Sequence, residues 1–178
     1  MDPTSQSYAV FFGLAGAASS LILSGAGAAY GTAKACRGIA KISTPNNDTQ
    51  SFGKEYVELS KTGESNAQQS VGYKNMIPVV ISGVLAIYGL IYSVIVSSSV
   101  VSPSYSTSQG YANFFGGLAV GFCCLVAGIA VGVCGEAGIV ASARNSKMFT
   151  LMVLVLVYCE ALGLYGLIFS LIANSLAF

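Results

Sequence analysis

The stretch VLVLVYCEALGLYGLIFSLIANS, residues 153 to 175, decides the fold of this chain, because it is long and apolar enough to cross a bilayer as a helix. One carboxylate, Glu160, interrupts the stretch near its middle. Placing an ionised acid at the centre of a bilayer costs ~2.5–3.5 kcal/mol on insertion scales, so acids are rare there. Glu160 is therefore the first candidate for a functional residue.

The rest of the chain has the same apolar character. It has 178 residues, of which 54% are hydrophobic and only 8% are charged. Three runs without charged residues accompany the last one, and all four exceed the ~20 residues that a membrane helix needs. The four runs are Tyr8–Ala33, Ile77–Val101, Tyr111–Gly135 and Met148–Phe178. The sequence predicts an all-α integral membrane protein with four transmembrane helices, at about residues 8–40, 76–102, 111–143 and 147–175.

The basic residues indicate the orientation of these helices. All eight lysines and arginines lie between the first and second apolar runs or between the third and fourth. Basic residues concentrate in cytoplasmic loops. We therefore expect a multi-pass membrane protein in which these two loops are cytoplasmic and both termini are lumenal.

The second and fourth helices resemble each other in sequence. The segment IYGLIYSVI, residues 87 to 95, matches LYGLIFSLI, residues 164 to 172, at an offset of 77. The chain is interpreted as two tandem helical hairpins, residues 1–102 with a polar cytoplasmic insert at 41–75, and residues 103–178. The position 77 residues before Glu160 is Gly83, so only the second hairpin carries the acid.

Small residues recur every three or four positions in the first and third helices, which places them along one face of each helix. Such seams let membrane helices approach closely. They suit a ring of many copies with slim inner helices, although packing within one four-helix bundle is the alternative. The predicted packing residues are Gly13, Ala17, Ser24, Gly27 and Gly31 in the first helix, and Gly121, Gly128 and Gly132 in the third.

The surroundings of Glu160 suggest its chemistry. Its helix offers it no charged partner, and burial in hydrocarbon disfavours the ionised carboxylate. It can lose its proton only on meeting water or a cation from another protein, which is how a proton carrier behaves. Tyr88 in the second helix is a candidate phenolic partner, with a simple packing role for its ring as the alternative. The alternative is a neutral acid that only fixes packing. The other acid, Glu136, is expected either to extend its side chain toward the membrane interface or to pair with a base such as Lys34 or Arg144.

Several kinds of site find no support in the sequence. The chain contains no histidine, no metal-type pair of cysteines and no glycine-rich phosphate-binding motif. We expect no metal, no cofactor, no nucleic-acid partner and no enzymatic activity of the chain on its own. Sodium needs several oxygen ligands, and all the glutamines lie outside the apolar runs, so the proton is the preferred transported ion.

Four motifs resemble one known family. They are GAAYGTAK at 27–34, IPVVISGVLAIYGLI at 77–91, GEAG at 135–138 and CEALGLYGLI at 159–168. Together they closely resemble the proteolipid, or c-type, subunits of eukaryotic vacuolar-type proton ATPases (V-ATPases), and the resemblance covers all four helices. The connection between the first two helices is longer than is usual in that family.

The resemblance implies a role for the chain in a rotary proton pump. Glu160 would be the proton-carrying acid, Tyr88 would lie close to it, and the subunit would form a membrane rotor ring. The implied partners are other copies or paralogues, a stator membrane subunit that supplies an arginine, central rotor stalk subunits and the lipid bilayer. The implied location is an acidic endomembrane such as the vacuole, lysosome, endosome or Golgi. The alternative function is a pore-forming or structural four-helix membrane protein with Glu160 in packing or gating.

Overall fold

The computed structural model describes residues 3–43, 75–101 and 105–176. It contains four helices, and most of the predicted insert at 41–75 lies outside the described residues. The helices are α1, Pro3–Ser43; α2, Ile77–Val100; α3, Thr107–Arg144; and α4, Met148–Leu176. All four are long and apolar enough to cross a membrane. The predicted fold class, an all-α membrane protein with four spanning helices, is confirmed for the described residues.

The four helices differ in length. With 41 and 38 residues, α1 and α3 each extend to roughly 60 Å, about twice the thickness of the hydrocarbon layer. Helix α3 begins at Thr107, four residues before its apolar run, because Ser106 and Gln109 form a capping box. The Ser106 hydroxyl accepts a hydrogen bond from the backbone of Gln109 at 3.3 Å, and the Gln109 side chain accepts one from the backbone of Ser106 at 2.9 Å. These two bonds satisfy donors that a helix start otherwise leaves free.

Helices α1 and α3 run side by side in the same direction and are in backbone contact. Ala9 lies against Gly110, Gly16 against Gly117, and Gly27 against Gly128. A β-carbon placed on Gly27 would lie only 2.7 Å from the carbonyl oxygen of Cys124. Only glycine allows two helices to approach this closely, so the seam holds α1 and α3 together as the centre of the molecule.

Helices α2 and α4 pack against this centre in equivalent ways. Gly89 of α2 meets Ser20 and Ser24 of α1, while Gly166 of α4 meets Ala119 and Cys123 of α3. Gly166 stands 77 positions after Gly89, and the residues it meets in α3 stand 99 positions after those that Gly89 meets in α1. The repeat in the sequence is therefore also a repeat in the packing, with both outer helices antiparallel to the central pair.

The buried side chains form two clusters along the bundle. One contains Leu85, Ile139 and Leu156, and the other contains Tyr92 and Val96 together with residues of α1, α3 and α4. The outward surface consists of large apolar side chains, as expected for a protein surrounded by lipid. The candidate carboxyl group of α4 lies beside Tyr88, which packs against both clusters.

Candidate functional site

Glu160 lies at the boundary between the bundle and its outer surface. Leu156 and Gly163, one turn away on either side along the same face of α4, are buried. Val157 and Tyr158, around the helix from that face, are 51% and 68% exposed. The carboxyl group is partly buried. It can therefore contact the bundle on one side and lipid, or another protein, on the other.

One side chain of α2 binds this carboxyl group. The hydroxyl of Tyr88 donates a hydrogen bond to Oε1 of Glu160 at 2.9 Å. The approach is possible because Gly163 leaves room for Leu85: a β-carbon at Gly163 would lie 2.7 Å from Leu85 Cδ2. The small residue one turn after the acid thus lets α2 and α4 come close enough for the phenol to reach it.

No basic side chain lies near Glu160 within the described part of the chain. The described basic residues are at the C-terminal end of α1, namely Lys34, Arg37 and Lys41, and at Lys147 just before α4. A carboxylate that has a phenol but no cation as neighbour keeps its negative charge at a high cost in hydrocarbon. Within the described residues, Glu160 therefore has the Tyr88 hydroxyl as a polar partner and no basic side chain beside it.

The second acid belongs to a separate cluster at the end of the bundle that carries the basic residues. Nζ of Lys34 lies 3.4 Å from a carboxylate oxygen of Glu136, and Lys41 donates a hydrogen bond to the other oxygen. The predicted pairing of Glu136 with Lys34 is confirmed, while the side chain of Arg144 lies outside the described residues. Lys41 was not foreseen, although it stands two turns after Lys34 on the same face of α1. The cluster joins α1 to α3 and does not contact Glu160.

The predicted packing residues lie in helix contacts within one chain. Those of the central pair meet each other: Gly27 and Gly31 lie against Gly128, and Gly132 lies against Gly31. Gly121 of α3 also meets α1, at Leu23. The others lie elsewhere, with Ser24 against Gly89 of α2, Gly13 against Tyr105 and Val100, and Ala17 in the buried core. Their role in packing between copies stays a prediction.

A buried polar network, which the sequence reasoning missed, lies at the opposite end of the bundle. The side chain of Asn113 donates to the Tyr105 hydroxyl at 2.9 Å, and the Tyr92 hydroxyl donates to the backbone oxygen of Asn113 at 3.1 Å. Ser170 of α4 donates to the backbone oxygen of Gly116 at 2.9 Å. Burial raises the pKa of Tyr105, although its bond with Asn113 acts in the opposite direction. The signal in the sequence was an amide, Asn113, inside an apolar run.

Side chains of the types that bind metal ions form no cluster in the described residues. Among them, no group of three or more histidine, cysteine, aspartate and glutamate side chains could hold a metal ion. All five cysteines are free thiols within helices. The chemistry of the site therefore depends on the hydrogen-bonded pair of Tyr88 and Glu160.

Comparison with known proteins connects this site to a family. The family model for the C subunit of ATP synthase matches residues 114–173, which include Glu160. The c' subunit of the V-type proton ATPase of Eremothecium gossypii is 39% identical over 170 residues, which are 94% of this chain and 90% of the relative. The c' subunit of Saccharomyces cerevisiae is 40% identical with the same coverage. The 16 kDa proteolipid c-type subunit of the V-type proton ATPase of Nephrops norvegicus is 36% identical over 92% of this chain and 90% of the relative.

Proposed function

This chain belongs to the family of V-type proton ATPase proteolipid subunits, and from that membership we propose that it is a proton-carrying rotor-ring subunit of an ATP-driven proton pump. The observation that carries the proposal is the site of Glu160. It is a single carboxyl group in the apolar part of α4, held by one phenol and open on its other side. A group so placed can accept a proton, carry it through lipid in neutral form and release it elsewhere.

The residues of this chain have distinct parts in the proposed cycle. Glu160 takes a proton where water reaches it from the cytoplasmic side, and protonation removes the charge that hydrocarbon disfavours. Tyr88 holds one carboxyl oxygen at 2.9 Å, which keeps the side chain in one position during the passage through lipid. Release follows where a cation of a stator subunit, an arginine by the resemblance, stabilises the carboxylate and water leads to the lumen.

The energy source of the proposed cycle lies outside this chain. Moving one charge against 100 mV requires ~2.3 kcal/mol, which ATP hydrolysis in a separate soluble sector supplies by turning the ring. The proposed partners are other copies or paralogues of the subunit, the stator subunit and the central rotor stalk. The proposed location is an acidic endomembrane, with both termini in the lumen and the two basic connections in the cytoplasm.

The experiment that tests this function compares Glu160→Gln, Glu160→Asp and the unaltered chain in native membranes. Glutamine keeps the shape of the side chain but cannot ionise, so we expect ATP-driven acidification to disappear with glutamine and to persist in part with aspartate. Co-purification of the soluble sector checks that each variant assembles. Normal acidification by the Glu160→Gln ring, with no other copy of the subunit present, would show that the acid is structural.

The alternative, a pore-forming or structural four-helix protein, predicts a different result. Ion flow through such a pore does not require ATP. Acidification that stops when ATP is removed, measured in the same membranes, supports the pump. Family membership along nearly the whole chain already favours the pump over the pore.

A further inference from the structure

A shallow hollow lies along α3 at the end of the bundle that carries the basic residues. It has a volume of about 530 Å³ and is lined by Lys41, Val133, Glu136, Ala137, Val140 and Ala141. Val133 is 52% exposed, and Ala137 is exposed as well. Since the lining consists of valine and alanine apart from one lysine and one glutamate, the hollow is an apolar surface with two charged side chains beside it.

The depth of the hollow in the membrane follows from the packing of α3 on α4. A β-carbon placed on Gly163 would lie 3.7 Å from Cβ of Ala127. Glu160, three positions earlier in the antiparallel α4, is therefore level with about residue 130 of α3. Val140 stands ten positions further along α3, roughly 15 Å from that level, and half of the hydrocarbon layer is also about 15 Å thick. Because Glu160 lies near the middle of its apolar run, the hollow extends through one leaflet and ends at the depth of the lipid headgroups.

The end of α1 places positive charge at this depth. Lys34, Arg37 and Lys41 stand at intervals of three and four residues, on one side of the helix. Lys34 and Lys41 share the carboxylate of Glu136, which is the only acid at this end among the residues that the structure describes. Arg37 is exposed. Three cations thus face one carboxylate, and positive charge is in excess.

Lys41 can change its partner without leaving Glu136 unpaired. The side chain of Lys41 is 63% exposed, whereas that of Lys34 is 27% exposed. If the ammonium group of Lys41 turns toward another anion, Nζ of Lys34 still lies 3.4 Å from the carboxylate. Long basic side chains at a membrane surface extend their charge toward the headgroups in this way. The hollow therefore combines an apolar lining within one leaflet with cations at headgroup depth.

We propose that this hollow binds an anionic phospholipid of the cytoplasmic leaflet, with an acyl chain along Val133, Ala137 and Val140 and the phosphate between Arg37 and Lys41. The acyl chain covers the apolar lining, and the phosphate balances the excess positive charge. Anionic lipids are concentrated in the cytoplasmic leaflet, where they attract lysine and arginine side chains. A soluble anion would balance the charge but would leave the lining uncovered, so the occupant is a lipid and not free phosphate.

The lipid has one consequence for the fold. Its phosphate binds α1 and its acyl chain binds α3, so it adds a contact between the two central helices at the end of the bundle. The inference takes the orientation of the chain from the proposed function and goes beyond that function, because the lipid site does not depend on proton transport by Glu160.

The absence of tryptophan from this chain allows a direct test. Val133→Trp places a single fluorescent reporter in the hollow of the full-length chain, which is reconstituted in vesicles of phosphatidylcholine and phosphatidylserine. Bromine on the acyl chains of one lipid at a time quenches a tryptophan that contacts this lipid, so the quenching gives the relative affinity of the two lipids at the reporter. We expect phosphatidylserine to bind there about fivefold more strongly than phosphatidylcholine at low salt, and the preference to weaken at high salt.

A matched reporter is Val126→Trp. Val126 is 58% exposed and stands two turns before Val133 on the same face of α3. It lies on the other side of the level of Glu160, away from the basic end of the bundle. We expect the two lipids to bind equally at this reporter, because the surface is apolar in the same way but lacks the cations.

Charge substitutions test the contacts with the phosphate. Arg37→Gln combined with Lys41→Gln should bring the preference at Val133→Trp close to one, with circular dichroism to check that the helices remain. Arg37→Gln alone leaves the ion pairs of Glu136 intact and should lower the preference in part, so it keeps the test decisive if the double variant does not fold. Lys147→Gln removes a basic residue at the same end of the bundle but outside the site, and should leave the preference unchanged.

The outcomes separate the lipid site from its alternatives and from the proposed function. The inference is wrong if both reporters show the same preference, if the preference survives the loss of Arg37 and Lys41, or if Lys147→Gln removes it equally. Release of the lipid by millimolar inorganic phosphate would show a site for phosphate alone and would also contradict it. Glu160→Gln should leave the preference unchanged, so acidification that persists without Glu160 would contradict the proposed function and leave the lipid site intact.

Discussion

Glu160 and Tyr88 are 72 residues apart in sequence and form one site in the folded chain. The phenol gives the carboxyl group a fixed position and a neutral hydrogen-bond donor without any opposite charge. A cation in the same place would hold the carboxylate permanently ionised, and a carrier must change its state in each cycle. The pair is thus suited to exchanging a proton.

The first prediction concerns the hydrogen bond itself. Tyr88→Phe removes a donor whose net contribution is about 1 kcal/mol, so the carboxylate that forms on proton release loses that stabilisation. We expect ATP-driven acidification to slow about fivefold while the subunit still assembles. Initial rates of acidification in membranes, corrected for the amount of assembled complex, provide the measurement.

The matched control for this prediction is Tyr92→Phe. It also removes a buried phenol from α2, but that hydroxyl donates to the backbone oxygen of Asn113 rather than to the acid. We expect it to lower the thermal stability of the chain and to leave the rate per assembled complex unchanged. Equal rates for Tyr88→Phe and the unaltered chain would mean that the phenol has no part in proton release.

At the scale of elements, the glycine seam explains why α1 and α3 are central and α2 and α4 peripheral. Membrane helices gain little from burying apolar side chains, because lipid is equally apolar, so close packing decides which helices associate. The seams of α1 and α3 offer the closest approach, with backbone against backbone at Gly27 and Gly128. The bulky helices then pack around this pair with their large side chains outward.

The second prediction tests the seam with one methyl group. Gly27→Ala places a β-carbon 2.7 Å from the backbone of Cys124 and Leu125, an overpacking that costs about 1–3 kcal/mol. We expect a lower midpoint of unfolding in detergent, followed by circular dichroism. Gly25→Ala is the control, because a methyl group there meets no atom within 4 Å and replaces a poor helix former. If both variants lowered the midpoint of unfolding equally, the loss of stability would come from changes within α1 and not from the contact between α1 and α3.

The sequence predicted which segments form helices better than it predicted where each helix ends and which side chains meet between helices. The apolar runs identified all four spans, since length and hydropathy are properties of the chain alone. The start of α3 was misplaced because the capping box of Ser106 and Gln109 lies outside the apolar run. Lys41 as a partner of Glu136 was missed because the ion pair depends on how α1 and α3 lie side by side.

At the scale of the whole molecule, the repeat gives two similar hairpins, and only the second carries an acid inside an apolar run. The equivalent positions Glu160 and Gly83 differ in chemistry and in contacts, because the acid meets Tyr88 while the glycine faces open space. If the chain is a rotor subunit, each copy moves one proton rather than two per turn. Fewer protons per ATP leave more energy for each, so the pump can build a steeper gradient.

The third prediction, which rests on the proposed function, restores the missing acid. Gly83→Glu puts a carboxyl group at the position of α2 that is equivalent to Glu160, where a β-carbon would meet no atom within 4 Å. We expect a hydrophobic carbodiimide, which adds to protonated carboxyl groups, to modify positions 83 and 160, as identified by mass spectrometry. The maximal gradient should fall toward about half, because the same ATP energy then moves twice the charge.

The control for this prediction is Gly25→Glu, at a position with equal space that is not equivalent to Glu160 in the repeat. It should leave the carbodiimide reaction at Glu160 unchanged and add no second carrier. An unchanged limiting gradient with Gly83→Glu, despite full assembly and modification at position 83, would contradict the expected link between acids per ring and the gradient.

The sequence by itself determined the class of the protein, its spans, the repeat at an offset of 77 and the one acid inside an apolar run. These follow from composition and order, because hydrocarbon excludes charge and unpaired backbone groups whatever the tertiary contacts are. Only the tertiary structure decided that α1 and α3 meet through their glycines, that Tyr88 binds Glu160, and that Lys41 joins Lys34 at Glu136. These contacts join residues far apart in the chain, and their geometry depends on the rotation and depth of each helix, which packing fixes and local sequence does not.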